Sequence, residues 1–169
     1  MAQLSLFSVN SNLMVRDHAG DLTLATPDQI LEAARSVIEQ KVQRGQAFLK
    51  PHIAESYLRA KLAGLEHEVF SVVMLDSQHR LIAYVELFRG SISSAQIEPR
   101  EVVKECLRHN AAAVLLSHNH PSGDATPSSA DIAVTKRLRE VLDLIDVRIL
   151  DHIVVGGNSV VSMASRGLI

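Results

Sequence analysis

The sequence is poor in cysteine, in net charge and in long apolar runs, and each shortage removes a class of protein. One cysteine, Cys106, in 169 residues excludes an internal disulfide framework and any multi-cysteine zinc finger. Lysine and arginine number 17 against 19 aspartates and glutamates, a net charge of −2. No strong basic field therefore exists to drive tight, salt-sensitive binding to nucleic acid. No stretch approaches the roughly 20 apolar residues of a membrane span, and no basic-plus-apolar secretion signal opens the chain. What is present is a chain 47% hydrophobic and 21% charged, which rules out disorder as the dominant state. The length suits a single core. The expectation is a soluble cytoplasmic protein, with eight histidines as the first sign of chemistry.

The first 25 residues carry no sustained periodicity and read as a loosely packed arm. Thr26-Pro27 starts a helix, threonine as N-cap and proline at the first helical position, and Ile30, Leu31, Ala34, Val37, Ile38 and Lys41 keep helical spacing until Gly45. A second helix is expected over 51–62, capped by Gly64. Residues 68–75 and 80–88 are β-branched and aromatic, and the polar stretch 76–79 between them reads as a hairpin turn. Pro99 opens a helix with Val102, Val103, Cys106 and Leu107 on one side and Arg100, Lys104 and Arg108 on the other. The run 111–116 reads as a buried central strand, 117–127 as a polar loop, 128–144 as a helix, and 147–155 and 159–163 as strands around Gly156-Gly157-Asn158. Together these predict an α/β (α+β) fold with a mixed central sheet flanked by helices. The arm and first helix would occupy residues 1–46 and the main domain 47–169.

The chemistry concentrates in Ser117-His118-Asn119-His120-Pro121-Ser122-Gly123 and in Ser128-Ser129-Ala130-Asp131. His118 and His120 are two residues apart, so in extended chain both rings project to one side. They lie just past the carboxyl end of the 111–116 strand, where open α/β sheets tend to place ligands. Asp131 falls in the first turn of the next helix and can point back to the same strand end. Two imidazoles and a carboxylate suit Zn²⁺, and three protein ligands with a fourth position open is a catalytic layout. The plainer reading is a connection whose Ser128 and Asp131 form an S-x-x-D helix start. His152 reads as a core histidine or one supporting a ligand, His109 as a cation at a helix end, Cys106 as a small core residue, and the Arg100–Arg108 stripe as a solvated face.

These residues resemble a known family. His118-x-His120, seven residues, Ser128, two residues, Asp131 is similar to the JAMM metalloprotease motif of JAB/MPN domains. The string His-Asn-His-Pro-Ser-Gly, together with Pro99-Arg100-Glu101-Val102 and Asp151-His152, resembles the RadC branch. Asn119 stands where deubiquitinating members carry serine or threonine, so eukaryotic-type ubiquitin chemistry is not implied. The resemblance implies a cytidine-deaminase-like sandwich, although the deaminase H-x-E and P-C-x-x-C signature is absent. It implies Zn²⁺ on His118, His120 and Asp131, a glutamate that takes a proton from the attacking water, and Ser128 donating to the developing oxyanion. The expected activity is that of a zinc metallopeptidase or isopeptidase acting on a peptide or protein. From a different class, the alternative is a non-hydrolytic, metal-containing binding module associated with DNA repair.

Hairpin geometry chooses the glutamate. With an even-length turn at 76–79, Met74 faces Leu81, Val72 faces Ala83, Phe70 faces Val85 and Glu68 faces Leu87, giving an apolar face with Glu68 at its end. Glu86 lies on the opposite, more polar face with Ser71 and Tyr84. The family pattern also puts its glutamate at the start of the strand after a helix. Glu68 is the expected base.

Overall fold

The computed structural model describes residues 13–16, 20–41, 45, 47–48, 50–90 and 97–169. Most of the arm read from the sequence, residues 1–12 and 17–19, lies outside them. The rest of the arm is a small antiparallel pair, β1 (Met14–Arg16) and β2 (Leu22–Leu24). Three-residue strands are too short to leave a periodic signal, which is why they read as irregular chain.

Thr26 caps α1 (Pro27–Lys41) as expected: Thr26 Oγ1 accepts from Gln29 N and Gln29 Oε1 accepts from Thr26 N, a reciprocal cap. Next come α2 (Pro51–Leu62), β3 (Val69–Leu75) and β4 (Leu81–Arg89). They are followed by α3 (Pro99–Arg108), β5 (Ala113–His120), α4 (Ser129–Asp143), β6 (Arg148–Gly156) and β7 (Ser159–Ser162). The five-stranded sheet runs β4-β3-β5-β6-β7, parallel only between β5 and β6, so the expected mixed α/β sheet is observed. Alternation along the strands sends side chains to two cores. Val69, Val73 and Leu75 pack with Tyr57, Leu58 and Leu62 of α2, while Phe70, Val72 and Met74 pack with Val102 and Cys106 of α3 and Leu138 and Leu142 of α4. Leu107 departs from the sequence reading: it is 61% exposed, because the buried stripe of α3 runs through Val102 and Cys106.

Two further departures bear on function. Leu75 pairs with Leu81, so the hairpin connection spans five residues rather than an even number, and Asp76 Oδ1 organises it by accepting from Gln78 N and Arg80 N. A bulge at Met74/Leu75 then offsets the odd turn and sets Met74 opposite Ala83, Val72 opposite Val85 and Ser71 opposite Glu86. The individual pairs differ from those expected, and the expected parity holds only from Ser71 to Met74, because a second bulge at Phe70/Ser71 sets Phe70 opposite Phe88. Glu86 stays on the α2 face, bound to Arg89 at 2.7 Å, and Glu68 precedes β3 in line with Phe70 and Val72.

The second departure is that β5 runs to His120, so 117–120 is strand, not loop. Its polar residues look like loop by composition, but each is satisfied inside. Ser117 shares a 2.7 Å hydrogen bond with Ser71, His118 contacts His152, and Asn119 bonds backbone. Parallel pairing with β6 carries the strand outward, from Ala113–Arg148 to His120–Gly156.

Candidate metal centre

His118 and His120 sit two residues apart on the α4 face of β5, one fully buried and the other with a side chain 19% exposed. Asp131, in the first turn of α4, is 1% exposed and points back at them. His118 Nε2 and His120 Nε2 lie 3.0 Å apart. Asp131 Oδ1 is 3.4 Å from the first and Asp131 Oδ2 is 3.6 Å from the second. Glu68, half-buried, offers an oxygen within 4.8 Å of both histidines. The geometry thus gathers His118, His120, Asp131 and Glu68.

Hydrogen bonding sets the tautomers, since the partners dictate which ring nitrogen carries the proton. Thr135 Oγ1 donates to the Asp131 carbonyl at 2.5 Å, so its one proton is used and it accepts from His152 Nδ1 at 2.6 Å. Burial, and then the neighbouring His118, hold the His152 ring well below its ordinary pKa, so it is neutral and His152 Nε2 carries a lone pair. His118 Nδ1 must donate to that lone pair at 2.8 Å, so in the neutral ring His118 Nε2 carries a lone pair. His120 Nδ1 faces the Asp124 carbonyl at 2.7 Å and donates to it, so in the neutral ring His120 Nε2 carries a lone pair as well. The two Nε2 atoms face each other at 3.0 Å.

The carboxylate completes the pattern. Ser128 caps α4 by accepting from Asp131 N, while Asp131 Oδ2 accepts from Ser128 N at 2.6 Å and from Ser128 Oγ at 2.7 Å. Asp131 Oδ1 is buried and, among the described residues, makes no hydrogen bond. Burial pushes the Asp131 carboxyl up, but the adjacent His118, in its protonated form, and the Ser128 hydrogen bonds outweigh it and hold the group below the usual carboxylate range. Two facing lone pairs beside an anionic oxygen repel one another, and a shared cation, a metal ion or a proton, relieves that repulsion. Donor separations of 3.0–3.6 Å also match the edge of a tetrahedron with bonds near 2.0–2.1 Å, roughly 3.3 Å. Both histidines, with Asp131 or Glu68 as third donor, fit a divalent metal.

The observation that decides the family is a match beyond this centre. The family model for the RadC-like JAB domain matches residues 48–168. The chain belongs to that family. The RadC-like JAB domain here is similar to a Vibrio cholerae protein named UPF0758 protein, 54% identical over 139 residues, covering 82% of this chain and 87% of that one. A UPF0758 protein of Cellvibrio japonicus is 54% identical over 138 residues, but the chain spans only 62% of its length. One from Nitrosococcus oceani is 48% identical over 155 residues, covering 90% of this chain and 69% of that protein.

His152, read from the sequence as a core histidine or one supporting a ligand, contacts His118 Nδ1 at 2.8 Å in this RadC-like JAB centre. Sequence reasoning missed Thr135, which holds His152 from another element and which no local spacing reveals. Gly156 is another such support. A methyl group there would lie 2.6 Å from the Asp124 carbonyl carbon, 2.8 Å from Gly123 O and closer still to Ala125 N. Only glycine lets the 123–125 loop rest on the end of β6 and present its carbonyl to His120. Gly156→Ala is expected to lower stability by about 1–3 kcal/mol and metal affinity roughly 10–100-fold, read by thermal unfolding and metal titration of one preparation. The remaining candidates stand apart from the centre. His109 pairs with Glu105, Cys106 is buried, and Lys104 and Arg108 pair with Glu101 and Glu105. Among the described residues no helix is long and apolar enough to cross a membrane.

Proposed function

We propose that this chain is a zinc-dependent hydrolase of amide bonds, a metallopeptidase or isopeptidase of the cytoplasm, acting on a peptide or protein. The observation that carries the reading is the pair of ring nitrogens, His118 Nε2 and His120 Nε2, 3.0 Å apart beside Asp131 Oδ1, which makes no hydrogen bond among the described residues. Two nitrogens and an oxygen are donors suited to zinc, and three protein ligands leave a position for the reaction. A zinc ion held by His118, His120 and Asp131 would supply an activated water and a charge that polarises the substrate carbonyl.

The remaining roles belong to the chain. Glu68 accepts the proton of the attacking water on its carboxylate and returns it to the leaving amine. Its position within 4.8 Å of both histidines, with Glu86 on the other face of the sheet, supports that choice. Substrate approaches from the side of His120, the more exposed of the two histidines. Ser128 donates to the oxyanion. Its hydroxyl can turn away from Asp131 because Asp131 Oδ2 keeps the 2.6 Å bond from Ser128 N. Ser128→Ala is therefore expected to cost about 1 kcal/mol through the cap. It should also lower turnover roughly 10²–10³-fold with little change in KM. Wild-type turnover in the destabilised variant would reduce Ser128 to a helix cap.

The DNA-associated binding module is the weaker reading, since Lys104 and Arg108 of the basic stripe are paired within their own helix. The test of function is a peptide-library cleavage screen. Cleavage that is lost on chelation and restored by zinc is expected, and a metal-loaded protein that cleaves nothing in the library speaks for the binding module.

A further inference from the structure

The β3–β5 backbone ladder ends at Phe70 opposite His118, two residues short of Glu68. The chain at Glu68 is nevertheless held on both sides by one side chain. Asn119 Oδ1 accepts from Val69 N at 2.8 Å, and Asn119 Nδ2 donates to His67 O at 3.0 Å. The two contacts fix the amide orientation, because an N–H can only donate and a carbonyl can only accept. Glu68 O in turn accepts from Gly90 N at 2.9 Å. The peptide groups before and after Glu68 are thus both anchored, and the backbone angles that aim its side chain have little freedom. Asn119 is 3% exposed and lies between the two histidines in sequence. The strand that carries both rings therefore also carries the clamp.

We propose that Asn119 is a positioning residue for Glu68, its side-chain amide replacing the missing ladder and holding the glutamate carboxylate beside His118 and His120. This rests on the reading of Glu68 as the proton acceptor at a metal centre. Asn119 itself touches neither metal nor substrate. It acts by keeping Glu68 in reach, a task that needs a donor and an acceptor on separate atoms of one short side chain. Alanine offers neither, and serine has a single hydroxyl for two partners.

The test uses the full chain loaded with cobalt(II) as an optical probe, in wild type, Glu68→Gln, Asn119→Ala, Asn119→Ser and the Glu68→Gln/Asn119→Ala double variant. Glu68→Gln is expected to change the visible cobalt bands. Asn119→Ala and Asn119→Ser should reproduce that change, and the double variant should add nothing to it. Zinc affinity by chelator competition should stay within about threefold of wild type in Asn119→Ala, because no ligand is lost. The Val69 amide should exchange with solvent at least about fivefold faster. Wild-type cobalt bands in both Asn119 variants, despite faster Val69 exchange, would make the clamp merely structural and overturn the proposal while leaving Glu68 in its role. A zinc affinity that falls as far as in a ligand variant would overturn it too. Unchanged bands in Glu68→Gln itself would remove the glutamate from the centre, and the positioning role would fall with it.

Discussion

Glu68→Gln is expected to keep metal binding and lose roughly 10²–10⁴-fold in turnover, the contribution of a positioned proton acceptor. The amide has nearly the carboxylate's shape, so the Asn119 bonds at Val69 N and His67 O, which involve only backbone, should survive. The control is Glu86→Gln. That carboxylate sits opposite Ser71, on the α2 face, bound to Arg89, and its loss should leave most of the activity because it cannot reach the histidines through the sheet. Turnover and metal content measured on both variants check the assignment. Activity kept in Glu68→Gln and lost in Glu86→Gln would reverse it.

The second large effect falls on the metal. Asp131→Asn and His118→Ala should each weaken zinc binding by more than the roughly 10–100-fold typical of losing an outer hydrogen-bond partner. The two variants fail for different reasons. Asp131→Asn removes the negative charge but keeps a side chain able to accept from Ser128 N, so the cap of α4 should persist and stability should change little. His118→Ala empties a fully buried position and strands His152 Nε2 without its 2.8 Å partner, which costs stability as well as metal. Zinc titration alongside thermal unfolding separates the two. Undiminished zinc binding in either variant would remove that residue from the centre.

The parts of this protein that were legible in sequence are those written in local spacing. The helix caps at Thr26 and Ser128, the two-residue step that puts His118 and His120 on one face, and the apolar runs of β3 and β5 all follow from neighbours along the chain. Glu68 was chosen over Glu86 on a register that differs pair by pair from the one observed. The choice survives because alternation within each strand decides the face: Glu68 stays in line with Phe70 and Val72, while Glu86, opposite Ser71, stays on the α2 face. The end of β5 was misread because composition cannot distinguish a solvated loop from a strand whose polar groups are satisfied at long range. Ser117 finds its partner 46 residues away in Ser71, and Asn119 finds one 50 away in Val69. The Thr135–His152–His118 relay joins α4, β6 and β5, so its logic exists only once the sheet is assembled.

The most direct test of the account is the metal content of the purified full chain after dialysis against metal-free buffer, determined by elemental analysis. Two histidine nitrogens 3.0 Å apart beside a buried carboxylate oxygen without a hydrogen bond among the described residues predict about one zinc ion retained per chain. A chain that retains no divalent metal, and takes none up when zinc is supplied, would contradict it.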